Sequence, residues 1–155
     1  MKLEKATFAA GCFWGVQAAF DKIKGVVKTT VGYTGGHFNN PSYEDVCSDK
    51  TGHAEAILVE YNPKIVSYDK LLEIFWKIHD PTQVNRQGPD VGEQYRSAIF
   101  YYDDKQKLTA KKSLEKESKR YNKKIATEIT KASKFYPAEG YHQKYYLRHP
   151  VVCHI

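Results

Sequence analysis

Two apolar periods succeed one another along this chain without strict alternation, and that succession limits the available folds more than any other feature. Short runs rich in β-branched or small apolar residues read as strands over Thr7–Ala10, Val26–Tyr33, Ala54–Tyr61, Ser97–Tyr102 and Ile125–Thr130. Elsewhere apolar residues recur at helical spacing. Val16, Ala19, Phe20 and Ile23 predict a helix that begins near Phe13 and stops before Gly25. Leu71, Phe75 and Ile78, with Leu72 and Trp76 beside them, predict a second helix after Ser67. Ser67 can cap it, Val66 can pack on Leu71, and Asp80-Pro81 ends it. A third, basic helix is expected over Lys105–Tyr121 and a short one near Glu139–Tyr146. Strands and helices mixed in this way predict an α+β fold, a two-layer α/β sandwich with helices against a mixed sheet.

The chain has 155 residues, which predicts one domain over 1–155. A domain of that length can bury a core without metal or disulfide staples. The net charge of +6 is local in origin. Lys105 to Lys124 holds nine Lys/Arg against two acids, a surplus of seven, so the remainder sums to about −1. One solvated basic helix accounts for this, and no aromatic residue interrupts Lys105–Arg120, which argues against a nucleic-acid groove. Cys12, Cys47 and Cys153 are too sparse for a disulfide scaffold, and without a CxxC pair they signal no metal knuckle. The apolar stretch before Cys12 is too short for a signal-peptide core, and nothing approaches the ~18 apolar residues of a membrane span. A cytoplasmic protein without metal, membrane or nucleic-acid partner is expected.

Gly11-Cys12-Phe13-Trp14-Gly15 marks a turn from strand to helix. A thiol there meets free backbone N–H groups at the positive end of the helix dipole, so its pKa is expected below the ~8.5 of free cysteine. Phe13 and Trp14 would form an apolar wall beside it. Period two in the strand Ala54–Tyr61 puts Glu55 on one face with Ile57, Val59 and Tyr61. A carboxyl among such neighbours resists ionisation, so its pKa should rise and let it donate a proton near neutral pH. Residues 80–96 form a polar stretch long enough to suggest a functional loop.

The run GCFWG resembles the active-site signature of the peptide methionine sulfoxide reductase A family. Further matching stretches follow in the family's order: Val31-Gly32-Tyr33, Pro41 to Ser48, Thr51 to Ala56, His79-Asp80-Pro81-Thr82, Arg86-Gln87-Gly88 with Asp90, Gln94 to Ile99, and Tyr136 to Glu139 with Tyr141-His142-Gln143. The resemblance covers nearly the whole chain and implies a sandwich with a ferredoxin-like core and long loops. It implies thiol-dependent reduction of methionine S-sulfoxide, free or in proteins, by a peptide-methionine (S)-S-oxide reductase, with Cys12 as nucleophile and Glu55 as general acid. By the same resemblance Tyr43 and Tyr95 bond the sulfoxide oxygen, Asp90 helps hold the polar network, and Phe13 and Trp14 receive the methyl group. Cys153 would resolve a Cys12 sulfenic acid, thioredoxin or a similar dithiol would reduce the disulfide, and no cofactor is implied. A monomer is expected. Cys47 matches a family position without catalytic task. Gln17 and Gly140 depart from the family's common Glu and Asp, which puts local helix stability near Gly140 in doubt but no catalytic position. With Ile155 last, resolution through Cys153 alone is expected.

Overall fold

The computed structural model describes residues 2–48 and 50–145; Cys153 and the end of the short helix expected near Glu139–Tyr146 lie outside the described residues. The strands are β1 (Glu4–Ala10), β2 (Val26–Thr34), β3 (Ala54–Tyr61), β4 (Arg86–Gln87), β5 (Asp90–Val91), β6 (Ser97–Tyr101), β7 (Glu128–Lys131) and β8 (Tyr136–Pro137). The helices are α1 (Phe13–Asp21), α2 (Tyr43–Cys47), α3 (Tyr68–Lys77) and α4 (Asp104–Ser118), with 3-10 turns at Glu93–Tyr95 and Gly140–His142. Six strands form one sheet in the order β7-β6-β1-β3-β2-β8, and β4 and β5 pair separately as a small hairpin. Every described pairing is antiparallel except β6 with β7, which makes the large sheet mixed.

The two faces of the sheet differ in residue size. Ala6, Phe8, Val31, Tyr33, Ile57, Val59 and Ile99 share a core with Val16 and Phe20 of α1 and Leu71, Leu72 and Phe75 of α3. The opposite face carries Ala9, Ala54, Ala56 and Ala98 around Phe100, with Ala132 and Phe135 packed against it. Large side chains on one face and alanines on the other leave room for helices on one side only, hence two layers. Helix α3 forms because Ser67 Oγ accepts from the Lys70 N–H at 3.1 Å and because its buried stripe faces the sheet. Each buried Leu or Phe there contributes about 1.5–3 kcal/mol. Helix α4 is capped by Asp103, which accepts from the Gln106 N–H at 2.8 Å, and buries only Gln106, Ala110 and Glu117. Its cations face solvent, as the local charge surplus suggests.

Two expectations need correction, and one strand appears that the sequence does not predict. The strand expected over Ile125–Thr130 is β7, Glu128–Lys131, because Ile125 packs into the core ahead of the strand and the Ala126 N–H is held by the Pro81 carbonyl at 2.7 Å. Strand β8 was not expected: two residues ending in proline carry no period, and Gly32 and Tyr33 recruit them to the sheet edge. Around Glu139 the described chain forms a single 3-10 turn, Gly140–His142. The stretch 80–96 is organised by its own polar side chains. Gln87 brackets Asp80, accepting from its N–H at 2.8 Å and donating to its carbonyl at 2.9 Å, and Thr82 donates twice to the Asp80 carboxylate.

Candidate active site

The turn from β1 into α1 admits only glycine at its bend. Gly11 has φ +94°, and a Cβ on it would stand 2.9 Å from Cβ and Cγ of Gln87. The 80–96 stretch therefore lies directly over this turn. Cys12 is the N-cap of α1 and is half-buried, neither sealed in the core nor freely solvated. The expected acidification does not occur. Burial and, next, the charge of Glu55 push the thiol up to about 12, and Asp90 adds to this. The Trp14 and Gly15 N–H groups pull the other way, as a helix terminus should, but they are outweighed. At rest the sulfur holds its proton.

Glu55, on β3 opposite Tyr33 of β2, is 1% exposed. Its Oε1 accepts from the Phe13 N–H at 3.3 Å and its Oε2 from Gln94 Nε2 at 3.4 Å. Burial outweighs both donors and raises the carboxyl to about 8, the direction its strand face predicts. Phe13, the first residue of α1, is thus attached to Glu55, and Cys12 precedes it.

The remaining expected polar residues gather around this pair. Tyr43 opens α2, whose start is fixed by Ser42 and Asp45 in reciprocal bonds of 3.1 and 2.9 Å. Burial, a hydrogen bond to Cys47 and the charge of Glu55 raise its hydroxyl. Burial, then Glu55 and Asp90, raise that of Tyr95, the last residue of its turn. Asp90 lies on β5, and its charge reaches Cys12, Glu55 and Tyr95. Phe13 is fully buried, with its ring centroid 5.7 Å from Tyr33 and 5.3 Å from His142. Trp14 is partly exposed; Tyr145 stacks on it at 3.8 Å and 9°, and its Nε1 donates to His142 Nδ1 at 3.0 Å.

Four residues without an assigned role in the sequence reading also shape the site. Gln94 donates to Glu55 and also to Cys47 Sγ at 3.4 Å. Cys47 is exposed, and its bonds with Gln94 and Tyr43 join its thiol to the same polar cluster. Glu139 accepts from the Tyr33 hydroxyl at 2.9 Å and the Tyr43 N–H at 3.0 Å. Burial opposes its ionisation, but these donors prevail and hold it below the usual carboxylate range. His142 lies between Tyr43 and Trp14. Glu139 and His142 fall within a matching stretch, yet their partners are about a hundred residues away, and no local period marks them. Among the described residues no three His, Cys, Asp or Glu side chains converge as metal ligands, and no helix is long and apolar enough to cross a membrane.

Comparison with known proteins agrees with this geometry. The sequence model of the peptide methionine sulfoxide reductase family matches residues 4–155. The chain is 60% identical over 147 residues to "Peptide methionine sulfoxide reductase MsrA" of Methanosarcina acetivorans, covering 93% of this chain and 78% of that protein. It is 58% identical over 146 residues to MsrA of Geobacter metallireducens, covering 93% and 90%. Reduced Mxr1 from Saccharomyces cerevisiae superposes with a TM-score of 0.93 at 38% identity, over 98% of this chain and 88% of that one. Mxr1 in complex with Trx2 gives 0.67 at 29%, over 93% and 85%. With a family match over all but the first three residues, and relatives near 60% identity, the chain belongs to the peptide methionine sulfoxide reductase family.

Proposed function

We propose that this chain reduces methionine S-sulfoxide, free or within proteins, and that Cys12 attacks the substrate sulfur while Glu55 protonates its oxygen. The observation that carries this reading is the fully buried Glu55 carboxyl held by the N–H of Phe13, the residue after Cys12, with burial raising both the carboxyl, to about 8, and the thiol, to about 12. Near neutral pH both groups hold protons. A general acid must hold its proton until the substrate oxygen begins to gain charge, and burial gives Glu55 that property. As the sulfoxide oxygen takes the Glu55 proton, the carboxylate left behind is the acceptor for the Cys12 proton, and the thiolate is formed only when there is sulfur to attack. The Cys12 sulfur bonds to the substrate sulfur, and the S–O bond breaks as its oxygen leaves as water on a second proton from Glu55. A water then attacks Cys12 Sγ and gives its proton to Glu55; the S–S bond breaks, methionine leaves, and Cys12 ends as sulfenic acid with Glu55 again protonated. The thiol is oxidised by two electrons and the sulfoxide reduced by two.

Tyr43 and Tyr95 keep hydroxyl protons tightly and are suited to donate to the same oxygen. Asp90 adds negative charge that favours protonated Glu55. Trp14, backed by the buried Phe13, offers the apolar surface for the methyl group. Cys153 condenses with the sulfenic acid, releasing water, and a thioredoxin-type dithiol reduces the disulfide. The complex of yeast Mxr1 with Trx2 supports that reductant. Residues 1–155 act as one domain and as a monomer, without cofactor, in the cytoplasm, where such dithiols are kept reduced.

The test is an epimer-resolved assay with thioredoxin recycling. The protein should consume S-sulfoxide and leave the R epimer, and Cys12→Ser should abolish turnover; turnover retained in that variant removes Cys12 from the mechanism. Cys153→Ser should release about one methionine per enzyme and then stall with thioredoxin. Sustained thioredoxin-driven cycling in that variant would exclude Cys153 as the resolving thiol.

A further inference from the structure

We infer that His142 is a positioning residue for sulfoxide binding, holding the Trp14 indole in place through a neutral ring whose Nδ1 accepts the indole N–H. This rests on the proposed reading of Trp14 as substrate surface. His142 is 2% exposed, and the Trp14 Nε1 to His142 Nδ1 distance is 3.0 Å. An indole N–H only donates, so Nδ1 must be unprotonated and the ring hydrogen must reside on Nε2. Nε2 is buried and has no hydrogen-bond partner among the described residues. A buried N–H without an acceptor is costly.

Its surroundings tie the two halves of the site together. The His142 ring lies 4.5 Å from Tyr43, 5.3 Å from Phe13 and 4.3 Å from Tyr141, centroid to centroid. It therefore touches the apolar wall on α1 and the oxygen-facing tyrosine that opens α2. Tyr145 stacks on Trp14, so the indole is held by stacking and at its N–H by His142. Without the acceptor, the indole keeps the stack but loses the bond that fixes its rotation.

The clamp works only while His142 is neutral. The groups facing it are Tyr43 from α2, Phe13 and Trp14 from α1, and Tyr141 and Glu139 from its own turn. Glu139 alone among these carries charge near neutral pH, and its carboxylate favours a protonated ring. Burial disfavours it more strongly and holds His142 below the usual histidine range. Protonation below that range places a hydrogen on Nδ1 and breaks the bond to Trp14.

Two variants test this. Asn at 142 places its amide oxygen the same number of bonds from Cα as Nδ1 and accepts at any pH; Leu removes the acceptor. His142→Leu should raise the KM for S-sulfoxide about five- to tenfold, the scale of one hydrogen bond. It should also shift the Trp14 emission to the red and make it more accessible to quenchers. Trp76, whose N–H goes to Ser113 Oγ at 2.7 Å between α3 and α4, supplies a constant background. His142→Asn should recover most of the KM and emission. The KM of the unsubstituted protein should rise at acid pH, where His142 gains its second proton, and that rise should be absent in His142→Asn. Wild-type KM and emission in His142→Leu would overturn the inference. So would persistence of the acid rise in His142→Asn, which decides the matter even if the leucine variant does not fold. Absence of sulfoxide turnover in the unsubstituted protein would instead defeat the proposed function, while the emission data would still report on the clamp.

Discussion

Glu55 sets the chemistry at the scale of single residues, and its burial has opposite consequences for function and stability. Unfolded, it ionises near 4.5; folded, near 8. Folding at pH 8 must therefore protonate a group that water would leave charged. Glu55→Gln removes that requirement but also one acceptor for the Phe13 and Gln94 donors. The variant should be more stable at pH 8 by about 2–4 kcal/mol, read by urea unfolding, while losing about 10²–10⁴-fold in sulfoxide reduction. This pairing of gains and losses is expected of a catalytic group and not of a packing residue. Glu55 was legible because period two in β3 placed a carboxyl on an apolar face. The thiol of Cys12 was misjudged for a related reason: the helix terminus is readable locally, but the burial and the facing carboxylate that overcome it are not. Tyr43, Tyr95 and Asp90 became candidates only through resemblance, since nothing in their local sequence sets them apart. Gln94, Glu139 and His142 gained no individual role because their significance lies in contacts made across the fold.

At the scale of elements, a glycine and a cap carry separable loads. Gly11 supplies a positive φ and lets Gln87 approach, so Gly11→Ala strains the bend and pushes the 80–96 stretch off Cys12. It should lower kcat/KM more than a cap mutation of comparable destabilisation. Ser67→Ala in α3, remote from the site, is the control. It should cost about 1 kcal/mol in urea unfolding and leave kcat/KM unchanged at a temperature where both variants are folded. If both variants lower kcat/KM in proportion to lost stability, the bend has no special role. Elements with a strong period were readable: β3 has the expected bounds, and α3 begins directly after its serine cap. Those set by tertiary pairing were not. Strand β8 exists because the edge of β2 offers partners, and β7 is shifted because Ile125 is drawn into the core.

Across the whole molecule, two buried titratable groups give stability a maximum in pH. Burial lowers His79 from 6.5 to about 4, with Nδ1 held at the Phe75 carbonyl and Nε2 at Ser97 Oγ, both 2.7 Å. Between those values the unfolded chain binds the extra proton, so the His79 contribution is full above 6.5 and lost as pH falls through 4. Glu55 acts in reverse: its contribution is full below 4.5 and lost as pH rises through 8. The two oppose each other from 4.5 to 6.5, and only Glu55 remains above. Unfolding free energy should decline by about 2 kcal/mol from pH 6.5 to 8, a window below the Cys12 titration, and Glu55→Gln should remove most of that decline. A decline of equal size in both proteins would assign it to other groups.

The proton on Glu55 is tested most directly by the single-turnover rate of methionine release from S-sulfoxide as a function of pH. The unsubstituted protein should hold its rate up to about pH 8 and then lose about tenfold per pH unit, and Glu55→Gln should be slow with no break there. A rate that stays level or climbs through pH 9 in the unsubstituted protein would mean that the reaction does not draw its proton from this carboxyl.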